Sequence, residues 1–258
     1  MKRKLRNQYD LTVHHVKHNV LATQAMREAK FPATPKLLGS STKIVKGEGK
    51  GVLTAVLYLA PADESGRNMC PWATAECAAA CLGHSSGRMV FDTAKNSRVW
   101  KTALFLYYRQ LFNAMLAEEL GAHERKAKRL GLTPAVRLNG TSDVVPAWEW
   151  AENWPTIQFY DYTKNAKRAL ASQSWVASPN YHVTLSFDGK NTSDCVNVLR
   201  QGGNVAVVFD KLPAELWGFP VLDADETDIR FEDPPGHVAG LKFKGNKRDM
   251  AGDFVVKA

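Results

Sequence analysis

Short apolar runs alternate with helical segments along most of the chain, and this alternation restricts the fold more than any other feature. The first run, residues 52–59, reads VLTAVLYL and is almost continuously apolar, as expected for a strand buried on both faces of a parallel sheet. Further strands are predicted at residues 135–138, 156–160, 182–187, 205–209, 219–222 and 237–243. Helices are predicted at residues 91–130, 147–154, 166–173 and 194–201. Such alternation is typical of a parallel sheet with crossover helices.

The number of strand–helix units limits the architecture further. About six units are too few for a complete eight-stranded barrel. We therefore predict an α/β fold with a partial (β/α)6 barrel-like parallel sheet and flanking helices, with an open doubly wound sheet as the alternative. The sequence contains no internal repeat and no clear linker, so we predict one domain over residues 51–258, preceded by a basic N-terminal extension over residues 1–50.

Acidic residues follow the ends of the predicted strands. They are Asp143, Asp161, Asp188, Asp210 and, after residues 219–222, the tract containing Asp223, Asp225 and Asp228. Because the carboxyl ends of parallel strands meet at one edge, where ligands bind in such folds, we expect several of these side chains around one site. Aspartate after a strand is also a common turn former and helix cap, and this alternative is strongest for Asp210.

Three of the four cysteines lie in the loop after the first predicted strand, with the spacing C-x6-C-x3-C at Cys70, Cys77 and Cys81. The alanines of ECAAAC favour a helix, in which residues four apart share a face, and Cys70 can fold back as a third ligand. Three thiolates suit a [4Fe-4S] cluster that keeps one iron open. Zinc, with His84 or Cys195 as a fourth ligand, and three inert thiols remain alternatives. Cys195 itself lies on an apolar helical face and is predicted to be a core residue.

The charge pattern bears on partners and compartment. The formal net charge is +8, and basic residues concentrate in residues 1–50 and in the run HERKAKR at residues 123–129. A basic surface is typical of nucleic-acid partners, although a solvated helix end and tail give the same pattern. We predict a cytoplasmic protein without a membrane partner, because the chain has no secretory apolar region and no apolar run of membrane length. Clustered thiols in that compartment are more often metal ligands or redox groups than disulfides.

The order of strand, three-cysteine loop, helix and a second strand with a glycine-containing acidic turn resembles the front half of the radical S-adenosylmethionine (SAM) enzymes. The resemblance implies a four-iron cluster on the three cysteines, an electron donor protein, and cleavage of SAM to a 5′-deoxyadenosyl radical. The cysteine spacing differs from the usual C-x3-C-x2-C of that superfamily, and the turn differs from its GGE. The turn implied to bind SAM consists of Asn139, Gly140, Thr141, Ser142 and Asp143.

A closer resemblance is to phage and prophage proteins that carry the gene product 88 domain. It covers residues 43–255 and depends on several long segments, which are TAVLYLAPADESGRNMCPWATAECAAACLG, VRLNGTSD, FYDYTKN, SFDGKN, GGNVAVVFD and VLDADETDIRFEDPPGHVAGLKFKG. The resemblance implies a phage setting within a bacterial host, and it makes the cysteine loop a signature of the family. It does not imply an activity.

The leading hypothesis is a phage-type, radical-SAM-like iron–sulfur enzyme whose substrate is a nucleotide or nucleic acid. The remaining candidates are Ser186 and Asp188 for the ribose, and Lys164, Asp161, Asp223 and Asp225 for substrate binding and catalysis. Two other hypotheses stay open, a non-catalytic metal-bearing nucleic-acid-binding protein and a magnesium nuclease that uses the aspartates. The sequence carries no signal for the oligomeric state. It lacks a G-x-x-x-x-G-K-[ST] loop and a G-x-S-x-G elbow, which argues against P-loop NTP hydrolysis and α/β-hydrolase chemistry.

Overall fold

A mostly parallel sheet forms the centre of the protein in this computed structural model. The structure describes residues 23–29, 35–40, 42–45, 47–81, 83, 87–172, 178–244 and 252–258. The strands of this part of the chain are β1 (Leu38–Gly39), β2 (Val52–Leu57), β3 (Thr133–Arg137), β4 (Gln158–Thr163), β5 (Tyr181–Ser186), β6 (Asn204–Phe209), β7 (Glu215–Leu216), β8 (Phe219–Asp223), β9 (Val238–Lys242) and β10 (Val255–Val256). The α-helices are α1 (Gln24–Glu28), α2 (Thr42–Val45), α3 (Ala75–Ala79), α4 (Asp92–Tyr107), α5 (Arg109–Leu130), α6 (Ala147–Asn153), α7 (Ala166–Ser172) and α8 (Thr192–Arg200). Short 3-10 helices lie at Glu48–Lys50, Gly87–Val90 and Arg230–Glu232.

The strand order is β1-β2-β3-β4-β5-β6-β9-β8-β7. β1 pairs antiparallel with β2, β7 pairs antiparallel with β8, and the other neighbours in this order are parallel. β10 pairs with β6 at Val208 and Phe209, whereas β5 pairs with β6 at residues 204–206. β9 pairs with the other side of β6, so β10 lies on the same side of β6 as β5. There it pairs with the part of β6 that lies beyond the residues paired with β5.

One face of the sheet packs against the helices. Its core joins strand residues such as Leu57, Val136 and Phe159 to helix residues such as Leu116 and Leu199, all of them buried. Strands β2 to β6 follow each other in chain order, and their connecting helices share this one core. All their carboxyl ends therefore meet at a single edge, which we call the carboxyl edge.

The segment after β8 covers part of the other face of the sheet. Ile229 is buried there against Val52, Ala135 and Tyr160, and the ring of Phe231 meets that of Tyr160 edge-on at 5.4 Å. The prediction of an α/β fold with a mostly parallel sheet and flanking helices is confirmed. Closure of the sheet into a partial barrel stays a prediction.

Several predicted elements differ in detail. The helix predicted over residues 91–130 is two helices, because the backbone leaves the helical region at Tyr108 (φ −133°, ψ 50°). Phe105 and Phe112 then pack edge-on across the break at 5.3 Å. The strand predicted at residues 156–160 starts later and runs on to Thr163, so Asp161 lies inside β4 and not beyond its end. The last strands are not in chain order, since β9 lies between β6 and β8.

Part of the predicted N-terminal extension belongs to the sheet. Leu38 pairs with Leu57, and the carboxylate of Glu119 on α5 accepts hydrogen bonds from the backbone N–H groups of Leu37 and Leu38 at 2.7 and 2.8 Å. Met26 on α1 is fully buried in the main core. The division at residue 50 stays a prediction, and the described residues before it are packed on the domain. No helix within the described ranges combines the length and apolar character that crossing a membrane demands.

Candidate cysteine site at the carboxyl edge of the sheet

The segment that carries the three clustered cysteines lies across the carboxyl edge. The carbonyl of Met69 accepts a hydrogen bond from the backbone N–H of Asp143, at 2.9 Å, in the turn after β3. The Cys70 thiol donates to the carbonyl of Thr141 in the same turn, at 3.5 Å. Farther along, the Thr74 hydroxyl donates to the carbonyl of Asp188 after β5, at 3.1 Å. The cysteine segment thus connects the turns that follow β3 and β5.

The local sequence explains the short helix within this segment. Thr74 has an extended backbone, and its hydroxyl accepts a hydrogen bond from the N–H of Cys77, which is the standard N-cap of a helix. Helix α3 ends at Ala79, so Cys77 lies in the helix and Cys81 follows its end. The Arg98 guanidinium binds the carbonyl of Gly83 at 3.2 Å just beyond Cys81. The prediction that Cys77 and Cys81 share one helix was therefore wrong for Cys81.

All four cysteines are free thiols, and Cys70, Cys77 and Cys81 are partly exposed. Burial raises the pKa of Cys70 to about 11; the backbone hydrogen bond from Ala62 opposes this, whereas the Cys81 and Cys77 thiols raise it further. Burial also raises the pKa of Cys81, with Cys77 adding to the effect. The three thiols are thus close enough to affect each other's ionisation. Cys195, by contrast, is fully buried among core residues, as predicted for a core residue.

Metal binding by these thiols stays a prediction. Within the described part of the chain, no group of three or more His, Cys, Asp or Glu side chains is arranged so that it could hold a metal ion. His84, considered as a fourth ligand of zinc, lies outside the described residues. The donor set itself fits an iron–sulfur cluster, because soft thiolates are the ligands that such clusters take from proteins.

Asn139 holds the turn after β3 in shape. Its side-chain carbonyl accepts hydrogen bonds from the N–H groups of Val144 and Val145 at 3.1 and 2.9 Å, and from the Ser142 hydroxyl at 3.3 Å. Its amide donates to the carbonyl of Val145 and to the Asp161 carboxylate, both at 2.9 Å. The side chain predicted to bind SAM is therefore committed to the protein itself.

Asp161 is fully buried and faces the same turn. Its carboxylate accepts hydrogen bonds from the backbone N–H and the side chain of Asn139, each at 2.9 Å. Burial raises its pKa to about 6, while the Arg168 charge and the two Asn139 hydrogen bonds lower it. Asp161 is predicted from the sequence to be a catalytic group at the surface of the carboxyl edge. It lies in the interior instead, because β4 extends past it.

Asp143 and Lys164 lie next to each other where β3 and β4 end. Asp143 forms an ion pair with Arg168 at 2.6 Å and accepts hydrogen bonds from the Thr163 hydroxyl and the Lys164 backbone N–H, both at 3.0 Å. The Lys164 ammonium lies 5.8 Å from the centre of the Phe254 ring. It also lowers the pKa of Cys81, which places its charge close to the cysteine segment.

Gly140 allows the turn to lie directly against β2. A Cβ at this position would stand 2.6 Å from side-chain atoms of both Tyr58 and Val56 and 2.8 Å from the carbonyl oxygen of Leu57. Glycine is therefore required by the close approach of two chain segments. The same contact keeps Thr141 beside Cys70, since the Gly140 N–H donates to the carbonyl of Leu57 at 3.0 Å.

Asp188 and Ser186, predicted at the ribose, form the turn that leads into α8. The Asp188 carboxylate accepts hydrogen bonds from the N–H groups of Lys190 and Asn191, at 2.8 and 3.0 Å. The carbonyl of Ser186 accepts a hydrogen bond from the Asn191 amide at 3.2 Å. Through its own carbonyl, Asp188 also contacts Thr74, so this turn borders the cysteine segment.

The acidic tract after β8 pairs with lysines of β9 and the residues after it. Asp223 and Lys242 are 2.8 Å apart, and Asp225 and Lys244 are 2.6 Å apart, with both lysine side chains about half exposed. Asp210 accepts backbone hydrogen bonds from Lys211 and Ala258, as expected for a turn former. The two ion pairs hold the ends of β8 and β9 together, and Asp210 joins the end of β6 to Ala258, two positions after β10.

Sequence reasoning singled out Asp228 but missed the polar cluster to which it belongs, on the sheet face opposite the helices. Asp228 accepts hydrogen bonds from Arg137 at 3.2 Å, Tyr160 at 3.3 Å and Tyr162 at 3.5 Å. The Arg137 guanidinium also lies 4.5 Å from the centre of the Tyr162 ring. On β5, burial and then the Arg230 charge lower the pKa of His182 to about 4. The available signals were an arginine inside an apolar strand and the alternation Tyr-Asp-Tyr in β4.

The fold and the edge define an α/β protein with three free cysteines at the carboxyl end of a mostly parallel sheet. The family model for gene product 88 matches residues 35–257. The chain therefore belongs to the phage gene product 88 family. Comparisons with curated proteins and with solved structures find no match.

Proposed function

We propose that this chain is a phage iron–sulfur protein in which Cys70, Cys77 and Cys81 hold a [4Fe-4S] cluster. The observation that carries the proposal is that the segment bearing three free, partly exposed thiols lies on the carboxyl edge, where the Cys70 thiol donates to the turn after β3. Ligand sites of parallel α/β sheets lie at this edge. Three thiolates leave one iron of such a cluster available to a small molecule.

The enzyme class that fits this arrangement is a radical-SAM-like one built on a partial (β/α)6 barrel. Support comes from the order of β2 to β6, which follow each other with their helices on one face, and from the contact of Cys70 with the turn at residues 139–143. A reduced cluster would supply the electron for cleavage of SAM. Such an enzyme needs an electron donor protein, and it would act in the cytoplasm of the bacterial host.

The residues of the edge would have different parts in such an enzyme. Asn139, Asp143 and Asp161 are positioning residues, because their side chains hold the turn and Arg168. The groups left to contact SAM are the backbone of the turn and the Lys164 ammonium, which suits a carboxylate. The substrate is a nucleotide or a nucleic acid, which the net charge of +8 supports.

The first experiment is anaerobic purification of the full chain, followed by iron, sulfide and zinc analysis and an absorption spectrum. We expect about four irons per chain and a broad absorption band at about 400 nm. Cys77→Ala should lose both, whereas the control Cys195→Ala, which removes a buried core thiol, should keep both. Zinc in place of iron, or iron retained by Cys77→Ala, would overturn the cluster proposal.

A second experiment separates the radical enzyme from the two other hypotheses. The reduced, loaded protein incubated with SAM should release 5′-deoxyadenosine, and Cys77→Ala should release none. A loaded protein that never cleaves SAM would be the non-catalytic metal protein. Magnesium-dependent cleavage of DNA that survives Cys77→Ala but not Asp143→Asn or Asp225→Asn would instead show the nuclease.

A further inference from the structure

Four exposed cations lie on the last turns of α5, at Arg125, Lys126, Lys128 and Arg129, and we call them the basic end of α5. Ala127, in the middle of the run, is fully buried. At about 100° per residue, the four cations span roughly 160° of the helix surface, on the side away from Ala127. The packing of Ala127 therefore turns all four charges towards solvent together.

Stability of the helix does not explain this arrangement. Three pairs are like charges at contact spacing, Arg125 with Lys128 and with Arg129, and Lys126 with Arg129, and such pairs repel. Cations in the last turn complement the helix dipole, but Arg125 and Lys126 lie before that turn. The neighbouring acid, Glu124, accepts a hydrogen bond from the Thr156 hydroxyl.

The basic end of α5 lies at the edge of the sheet opposite the cysteines. Gly131 ends the helix in the left-handed conformation (φ 67°), and β3 begins at Thr133. The N–H of Thr133 donates to the carbonyl of Gly51 at 2.8 Å, immediately before β2. The cysteine segment instead contacts the turn after β3, so the length of β3 separates the two regions.

We propose that the basic end of α5 is a binding surface for the phosphate backbone of nucleic acid, distinct from the cysteine site. Closely spaced, solvated cations that form no ion pair with the acidic residues of the described part of the chain are suited to a row of phosphates. The half-buried Trp154 adds an aromatic surface beside Arg125. A guanidinium nitrogen of Arg125 lies 3.2 Å, and the Trp154 ring 3.5 Å, from the position that a Cβ on Gly121 would occupy. A membrane surface would require a broad apolar face next to the cations, whereas Ala127 is buried and the half-exposed Leu130 at the end of the helix is a single apolar side chain. This inference does not depend on the cluster.

The test measures binding of the full chain to a labelled single strand and to a duplex of the same arbitrary sequence, by fluorescence anisotropy over a series of salt concentrations. Wild type should bind both, with affinity falling as salt rises. The variant Lys126→Glu/Lys128→Glu/Arg129→Glu should bind at least about 10-fold more weakly at low salt, and its log–log salt slope on the duplex should fall by about three.

The matched control is Lys95→Glu/Arg109→Glu/Arg200→Glu, which changes the net charge equally at exposed basic residues outside the basic end of α5 and outside the turns that border the cysteine segment. It should stay within about threefold of wild type. Equal loss in both variants, or no salt-dependent binding by wild type, would overturn the proposal. Binding to vesicles with anionic lipids but not to either oligonucleotide would also overturn it. The glutamine variant Lys126→Gln/Lys128→Gln/Arg129→Gln repeats the test if charge reversal prevents folding.

Discussion

At the scale of single residues, Asn139 connects the interior of the sheet to the candidate site. It is almost completely buried, and its side chain spans the distance between Asp161 in β4 and the backbone at Val144 and Val145. A buried carboxylate such as Asp161 is tolerated because donors of this kind compensate for its lost water. The shape of the turn that contacts Cys70 therefore depends on one amide side chain.

Replacement of this side chain gives the first prediction. Asn139→Ala should lower the free energy of unfolding by about 3 kcal/mol, because it removes the amide donor to the buried Asp161 carboxylate and leaves the backbone N–H groups of Val144 and Val145 without partners. The measurement is urea unfolding followed by circular dichroism. Ser142→Ala is the control in the same turn, since it removes one hydrogen bond of 3.3 Å and should cost less than about 1 kcal/mol. Equal effects of the two substitutions would contradict this account of the turn.

The sequence predicts the residue types of the site better than their environment. The cysteines and the turn after β3 are recognisable from spacing and from the position after a strand. The burial of Asp161 is not, because it depends on β4 running three residues farther than its apolar pattern suggests. The pairing of Asp143 with Arg168 is also hidden, since Arg168 lies on a helix 25 positions later and only packing brings it back.

At the scale of elements, the short strand β10 closes the carboxyl edge next to the cysteine segment. The turn after β5 contains Gly189 at φ +95°, and a Cβ there would stand 3.1 Å from the N of Phe254 and 3.1 Å from the Glu76 carboxylate. Glu76 belongs to α3, between the cysteines. Three elements therefore meet at one glycine, namely the turn after β5, α3 and the segment that leads into β10.

Substitution at this glycine gives the second prediction. Gly189→Ala should destabilise the protein by about 2–3 kcal/mol, because an L-residue is strained at this φ and its Cβ collides with backbone. Gly218→Ala is the matched control. It has φ +82° but nothing within 4 Å of its Cβ, so it should cost only about 1 kcal/mol.

Urea unfolding of both glycine variants checks this difference. Equal losses would show that the backbone conformation alone matters and that β10 is not held tightly at Gly189. A larger loss at Gly189 would instead assign the excess to the contact between the turn, α3 and the segment before β10.

The long parallel strands and most helices are predictable from sequence, but the two-residue strands are not. β1, β7 and β10 are too short to show an alternating pattern, and their existence depends on partners far away in the chain. The β7–β8 hairpin turns at Trp217 and Gly218, both with positive φ, which is the geometry of a type I′ turn. Tryptophan is not the usual residue there, so the turn signal was weak.

At the scale of the whole molecule, the cysteine segment joins distant parts of the sheet. It contacts the turn after β3 through Met69 and Cys70 and the turn after β5 through Thr74, while Glu76 borders the segment before β10. The strand order places these turns at one edge, although the residues that hydrogen-bond to Cys70 and Thr74 there lie 71 and 114 positions farther along the chain. A group bound to the three thiols would therefore cross-link this edge of the fold.

This arrangement predicts that cluster loading stabilises the entire domain, because a ligand that binds only the folded chain adds its binding free energy to folding. At about 1,000 times the dissociation constant the gain is about 4 kcal/mol, which corresponds to a rise of roughly 10 °C in Tm for a chain of this size. The measurement is anaerobic differential scanning fluorimetry of the metal-free and the iron-and-sulfide-reconstituted protein. Cys195→Ala should show the same rise as wild type, whereas Cys77→Ala should show none. An equal rise in Cys77→Ala would mean that iron binds elsewhere and that the three thiols do not hold the edge together.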